Sequence, residues 1–163
     1  MIDAETRALS VRVLDACRVR RWTVATAESC TGGLVAGALT EIAGSSDVVD
    51  RGFVTYSNAA KMALLGVPEA VLAAHGAVSR QTAEAMAQGA LARSGVDLTV
   101  SITGVAGPGG GSAEKPVGLV HFAAAAKDGR LLHREKRYGD VGRSEVRRLS
   151  VLEALNMLLE LAA

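Results

Sequence analysis

Apolar positions recur at helical spacing from residue 3 to 20. Ala8, Val11, Leu14, Ala16 and Val19 fall between Arg7, Arg12, Asp15 and Arg18, which predicts an amphipathic helix. The run 22–27 reads as a short strand ending at Glu28-Ser29. Thr31-Gly32-Gly33 leads into a helix of small residues over 34–43, stopped by Gly44. A second strand is expected over 48–56, followed by a helix over 59–65 with Asn58 as its cap, Gly66 as its stop and Pro68 beyond. Ser79 is positioned to cap an alanine-rich helix that runs to about Arg93. The β-branched stretch 98–103 predicts a buried strand opening into the glycine-rich segment 104–111. Strands over 118–126 and 131–138 flank an Asp128-Gly129 hairpin signal, and a last amphipathic helix covers about 143–161.

The order αβαβα(α)αβββα, with one hairpin among crossovers, predicts an α/β fold with a mixed sheet and helices on both faces. No repeat, linker or low-complexity tail interrupts it, so residues 1–163 read as one domain. At this length folding removes roughly two-thirds of the unfolded chain's surface, enough for a core without disulfide or metal. Hydrophobic residues make up 49% and charged residues 21%, which excludes intrinsic disorder. Aromatics are only 3%, against 18 glycines and many alanines, so the core must close by near approach of small side chains.

Charge adds little globally. Eighteen Lys and Arg oppose 17 Asp and Glu, which leaves no field to attract nucleic acid or an acidic membrane. Residues 127–148 hold eight basic side chains against four acidic ones, but only Tyr138 is interleaved as an aromatic, so no single-strand stacking platform is expected. No apolar run is long enough to span a membrane, and the acidic start Ile2-Asp3-Ala4-Glu5 has no apolar core of a signal peptide. The lone Cys17 and Cys30, without metal spacing, then fit a reducing cytoplasm. His75, His121 and His133 are scattered, and no metal site is expected.

Three loops follow predicted strands, at 28–33, 56–61 and 103–111, where ligands of open α/β sheets gather. Ser29 sits at a strand-to-helix turn beside Gly32 and Gly33, either as a helix cap or as a nucleophile next to unpaired backbone N–H groups. Lys61 lies 32 residues beyond it among apolar neighbours. Burial and a helix N-terminus both lower an amine's pKa, and a neutral lysine can deprotonate a serine; the plain alternative is a solvated surface lysine. Cys30 is a rival nucleophile or a small buried hydrophobe, and Tyr56 a partner of Lys61 or a packing residue. Ser112-Ala113-Glu114-Lys115 spells S-x-x-K, but the glycines before it and Pro116 after it deny it the helical turn that pairing needs. The glycine run also fails the dinucleotide and Walker patterns, and reads as a closely approached binding loop with Lys115 facing a phosphate or water.

Several of these segments together resemble the CinA C-terminal-domain family. They are Ala27-Glu28-Ser29-Cys30-Thr31-Gly32-Gly33, Val54-Thr55-Tyr56-Ser57-Asn58-Ala59-Ala60-Lys61 and Thr103-Gly104-Val105-Ala106-Gly107-Pro108, joined by Gly76-Ala77-Val78-Ser79, Lys115-Pro116-Val117-Gly118 and the late Arg143 and Arg147. The likeness runs from about residue 6 to the C-terminus. It implies a three-layer α/β/α sandwich with a mostly parallel sheet, usually a homodimer, and a Ser-Lys amidase without metal or organic cofactor. The family includes amidases that convert nicotinamide mononucleotide to nicotinate mononucleotide and ammonia. Carried over by motif, Ser29 becomes the nucleophile, Lys61 the general base and Tyr56 an orienting or relay group. Backbone N–H groups from Cys30 through Thr31, Gly32 and Gly33 would receive the oxyanion. Thr103, Gly104, Ala106 and Gly107 would shape the nucleotide pocket, with Arg143 or Lys115 on the phosphate. Two departures stand out. The larger domain that precedes this one in many relatives is absent from the sequence, and the family's Gly-Asp-Arg is replaced by Val141-Gly142-Arg143. The rival reading is a nucleotide-binding or regulatory module with the same pocket and no turnover; a hydrolase of another amide is the third.

Overall fold

The computed structural model describes residues 2–163. Helix α1 (Ala4–Arg20) starts where the Asp3 carboxylate accepts the Thr6 N–H at 2.7 Å, and stops where Arg21 turns left-handed. It buries Thr6, Leu9, Ser10, Val13, Leu14 and Cys17, a different stripe from the expected one; Val19 is 86% exposed. Small polar residues fill part of the seam, and apolar periodicity passes over them. Strand β1 (Val24–Glu28) is buried throughout, and α2 (Leu34–Thr40) ends short of Ala43. Strand β2 (Val49–Val54) stops before Tyr56.

Helix α3 (Asn58–Leu65) is capped by Ser57, whose hydroxyl accepts the Ala60 N–H at 3.0 Å, so Asn58 is its first residue rather than its cap. Then follow α4 (Glu69–His75), α5 (Arg80–Ser94) with its Ser79 cap, β3 (Leu98–Gly104), β4 (Leu119–Ala126), β5 (Leu131–Arg137) and α6 (Arg143–Ala162). The β4–β5 connection is the expected hairpin, with Gly129 at φ 96°.

The five strands form one sheet in the order β2-β1-β3-β4-β5. β1 pairs parallel with β2 and β3, while β4 runs antiparallel to β3 and β5, so four of the five strands share a direction. Helices α1, α2 and α6 cover one face; α5 covers the other, backed by α3 and α4. The two faces close differently. Leucine, valine and phenylalanine dominate under α1 and α6. On the α5 side Ala83 and Ala87 meet Ala123 and Ala125, and β3 hydroxyls tie the layer down. Thr99 donates to the Ala87 carbonyl at 2.8 Å and Ser101 to that of Ala83 at 2.5 Å. Where α5 meets α3, a Cβ on Gly89 would lie 1.9 Å from the Leu65 carbonyl oxygen, so only glycine fits.

Register brings Glu28 of β1 level with Val54 of β2 and Ile102 of β3. The carboxyl ends of three adjacent parallel strands therefore open side by side, and the loops that follow them share one edge of the sheet.

Candidate functional site

The edge chemistry begins with Ser29. Its N–H donates to the Ile102 carbonyl at 2.9 Å, which carries the β1–β3 ladder one residue past the strand and fixes the serine backbone. Across the opening, Thr55 N–H donates to the Glu28 carbonyl at 2.8 Å. That bond holds the β2–α3 loop against β1, and the first turn of α3 then turns Lys61 inward. Lys61 is 1% exposed, with Nζ 3.1 Å from the Ser29 hydroxyl and donating to the Thr55 carbonyl at 2.8 Å. No acidic side chain forms an ion pair with it among the described residues. Burial pushes its pKa below the ordinary lysine value, with Cys30 acting weakly the other way. A buried amine against a serine hydroxyl, without a carboxylate to keep it charged, is the arrangement in which lysine serves as a base.

Cys30 is buried too, and desolvation raises its thiol to about 11. It is therefore a neutral thiol near pH 7 and no rival to Ser29. Its importance is in its backbone. Ser29 to Gly32 form a turn in which the Gly32 N–H donates to the Ser29 carbonyl at 3.0 Å. The N–H groups of Cys30 and Thr31 have no acceptor in any other described residue, although both residues are buried. Unpaired buried N–H groups are rare. Two of them follow the serine directly, that of Cys30 at the cavity floor and that of Thr31 one residue behind it.

A cavity of about 300 Å³ opens in front of the pair. Ser29, Cys30 and Lys61 form its floor; Tyr56, Thr103 to Gly107 and Arg143 form its walls. Thr103 donates its hydroxyl to the Ala77 carbonyl at 2.7 Å, so it contributes backbone to the wall. Arg143, from the first turn of α6, donates to the Gly107 carbonyl at 2.9 Å and to the Tyr56 hydroxyl at 3.0 Å, bridging the mouth. Tyr56 is 63% exposed and lines the cavity at its rim, with its hydroxyl bonded to Arg143 rather than to Lys61.

A family model described as the CinA C-terminal domain matches residues 6–162. This chain belongs to the CinA C-terminal domain family. It is 52% identical over 159 residues to the nicotinamide-nucleotide amidohydrolase PncC of Escherichia coli K12, covering 97% of this chain and 95% of that protein. Against the PncC of Enterobacter agglomerans it is 54% identical over 138 residues, 85% of this chain and 84% of the relative. A CinA-like protein of Synechococcus is longer: 54% identity extends over 95% of this chain but 37% of that one. Among solved structures, a competence/damage inducible protein from Agrobacterium tumefaciens superposes with a TM-score of 0.98 at 57% identity, covering 100% of this chain and 99% of that one.

Within this CinA domain, several expected site residues lie off the cavity. Thr31 is fully buried, with its hydroxyl donating to Glu28 at 2.7 Å, and Gly32 and Gly33 take positive φ to carry the chain into α2. They shape the turn without lining the pocket. Lys115 is turned away: its ammonium donates to the His75 carbonyl in a neighbouring hollow that also holds His121 and Glu135. Ser112 to Lys115 form a turn and no helix, as the flanking glycines and proline dictate.

Two residues of the site receive no role from the sequence. Glu28, read there only as a strand end, is fully buried; it accepts the Thr31 hydroxyl and the N–H groups of Val35 and Ala36 at 2.9 and 3.0 Å, anchoring the start of α2. Arg147, one turn after Arg143 on α6, donates from Nε to the Cys30 carbonyl at 3.1 Å and from Nη2 to that of Thr31 at 3.4 Å. A charge closing an apolar strand and a second arginine at i+4 are the sequence signals that point to them. A larger hollow of about 440 Å³ lies behind this arginine, between α1, α2 and α6, with Thr6, Leu34, Ser144 and Val151 among its walls.

Proposed function

We propose that this chain hydrolyses the carboxamide of nicotinamide mononucleotide, giving nicotinate mononucleotide and ammonia, with Ser29 as nucleophile and Lys61 as base. The observation that carries the reading is the Lys61 amine, 1% exposed and 3.1 Å from the Ser29 hydroxyl. The PncC relatives, whose names give this substrate class and reaction, support it.

In the first half-reaction the neutral Lys61 amine takes the Ser29 proton as Oγ bonds to the carboxamide carbon. The negative oxygen of the tetrahedral species accepts from the Cys30 and Thr31 N–H groups, each such donor contributing about 3–4 kcal/mol to the transition state. The lysine ammonium then passes its proton to the departing nitrogen; the C–N bond breaks, and ammonia leaves an acyl-serine. In the second half, water gives a proton to Lys61 and its oxygen bonds to the acyl carbon. Ser29 departs with the proton returned, and nicotinate mononucleotide is released. Arg143 at the rim is the cation for the nucleotide phosphate, exchanging its bonds to Gly107 and Tyr56 for phosphate oxygens.

The test is ammonia release from nicotinamide mononucleotide by the purified chain in the presence of EDTA. Turnover that survives the chelator and disappears in Ser29→Ala and Lys61→Ala supports the reading. Nucleotide binding without ammonia from folded wild type replaces it with a nucleotide-binding module. Equal turnover of nicotinamide and its mononucleotide removes the phosphate from recognition.

A further inference from the structure

We propose that Arg147 is a positioning residue of the amidase centre, aiming the two backbone N–H groups that receive the oxyanion. The inference rests on the Ser29/Lys61 reading and adds a part that this reading does not contain.

Each peptide unit is planar, so fixing a carbonyl fixes the N–H on its other side. Arg147 Nε bonds to the Cys30 carbonyl, whose peptide carries the Thr31 N–H. Its Nη2 reaches the Thr31 carbonyl, whose peptide carries the Gly32 N–H. That N–H in turn donates to the Ser29 carbonyl at 3.0 Å, and the Ser29 peptide carries the Cys30 N–H. Both unpaired donors therefore lie on planes set by one guanidinium, the first directly and the second through one hydrogen bond. Bonding a cation to the carbonyl also polarises the peptide and makes its N–H a better donor.

The charge of Arg147 has no other employment. Its neighbour Arg148 pairs with Glu145, Asp3 and Glu5, whereas no carboxylate meets Arg147 among the described residues. An arginine kept for surface solubility would not be held against two carbonyls of a catalytic turn. A planar fork holds two carbonyls in one fixed orientation, which the rotating donors of a lysine ammonium do not reproduce. Gly32 completes the fit: at φ 57° it brings the turn against the guanidinium, and a Cβ there would stand 3.4 Å from Nη2.

The experiment compares wild type with Arg147→Lys, Arg147→Met and Arg147→Ala in three measurements: kinetics on nicotinamide mononucleotide, affinity for pyridine-3-boronic acid, and melting temperature. The boronic acid forms a tetrahedral adduct with a reactive serine and so reports the donor pair without hydrolysis. In Arg147→Met, kcat is expected to fall about a hundredfold or more, the scale of losing one oxyanion donor, with KM within about threefold. Boronate affinity falls in parallel. Arg147→Lys retains size and charge yet recovers only a minor part of kcat, and guanidinium ion added to Arg147→Ala raises it. Should the Met variant fail to fold, Arg147→Lys and the guanidinium titration decide alone. Unchanged kcat and boronate affinity in folded variants overturn the proposal, as does a rise in KM at constant kcat. Wild type that neither releases ammonia nor binds the boronate overturns the amidase reading itself, and this inference with it. Boronate binding that depends on Arg147 without ammonia release retains the donor pair and rejects the substrate.

Discussion

The cavity has two unlike walls. Along the turn 29–33, Ser29, Cys30 and Thr31 are buried, and Glu28 and Arg147 hold the chain from opposite sides through side-chain bonds to hydroxyl, N–H and carbonyl groups. Along the loop 105–117, residues 108 to 114 are exposed, and the fastenings are at the ends: Arg143 on the Gly107 carbonyl, Gly118 N–H on the Val105 carbonyl, and Lys115 on the His75 carbonyl. The first wall has little freedom and the second has much. Chemistry at one carbon needs atoms fixed to a fraction of an ångström, whereas recognition of a flexible nucleotide tolerates adjustment. The difference teaches where the sequence is constrained by reaction and where by fit.

The sharpest way to break the comparison is to remove reacting atoms from the fixed wall. Ser29→Ala and Lys61→Met are each expected to lower kcat/KM by on the order of a thousandfold or more, with both proteins folded. Lys61→Met also carries a stability signature. Folding lowers the affinity of Lys61 for its proton, so between the folded pKa and the ordinary value of 10.5 the unfolded chain binds more protons. Wild-type stability therefore gains with rising pH through that window from this group. Methionine fills the site without a charge to desolvate, so its melting temperature should exceed that of wild type most below the folded pKa and approach it as pH climbs toward 10.5. Denaturation at a series of pH values checks this; a gap that widens with pH contradicts a lysine buried neutral. In wild type the same depressed pKa predicts kcat/KM that rises with pH to a plateau once the free amine is neutral.

A smaller effect separates the two ends of the glycine loop. Arg143→Ala removes a guanidinium from the rim and is expected to raise KM for the mononucleotide roughly ten- to a hundredfold, the loss of one charge-assisted hydrogen bond of about 1.5–3 kcal/mol. Turnover of free nicotinamide, which has no phosphate, should respond much less. Lys115→Ala, from outside the cavity, should leave KM within about threefold. Steady-state kinetics on both substrates reads the pair. A larger effect at Lys115 would transfer the phosphate to the hollow beside His75.

How far the sequence carried varies with the physics of each part. The order of helices and strands was legible because strong punctuation marks it: Gly44 and Gly66 near helix ends, Ser79 at a start, Asp128-Gly129 at the hairpin. The stripe of α1 was not, since Thr6 and Ser10 share it with Leu9, Val13, Leu14 and Cys17, and hydropathy marks only the apolar part. Ser29 and Lys61 were each legible as candidates from their local setting, but no local rule pairs residues 32 apart; the meeting depends on β1 and β2 lying adjacent and on Thr55 bonding to Glu28. Arg147 is more remote still. Its partners are backbone carbonyls, which leave no mark in side-chain composition. Lys115 shows the converse: a motif supplied a residue of suitable chemistry, and the fold turned it to another partner outside the cavity.

The smallest expected effects lie inside the loose wall and test whether its shape matters at all. Gly107 has φ 85°, and a Cβ there would stand 2.6 Å from Val117 Cγ1, so alanine meets both backbone strain and a clash. Gly107→Ala should cost about 1–2 kcal/mol and, because the Gly107 carbonyl is the seat of Arg143, raise KM a few-fold. Two residues on, Gly109 has no neighbour within 4 Å of an added Cβ and no positive φ. Gly109→Ala should be neutral or stabilising by about 0.4–1 kcal/mol, through the lower entropy of the unfolded chain. Paired urea denaturation and KM measurements resolve the two. If both alanines behave as Gly109→Ala is expected to, the loop accommodates strain freely and the fixed wall alone defines the site. If Gly107→Ala alone raises KM, then the loop's seat for Arg143 belongs to recognition, and the cavity needs both walls.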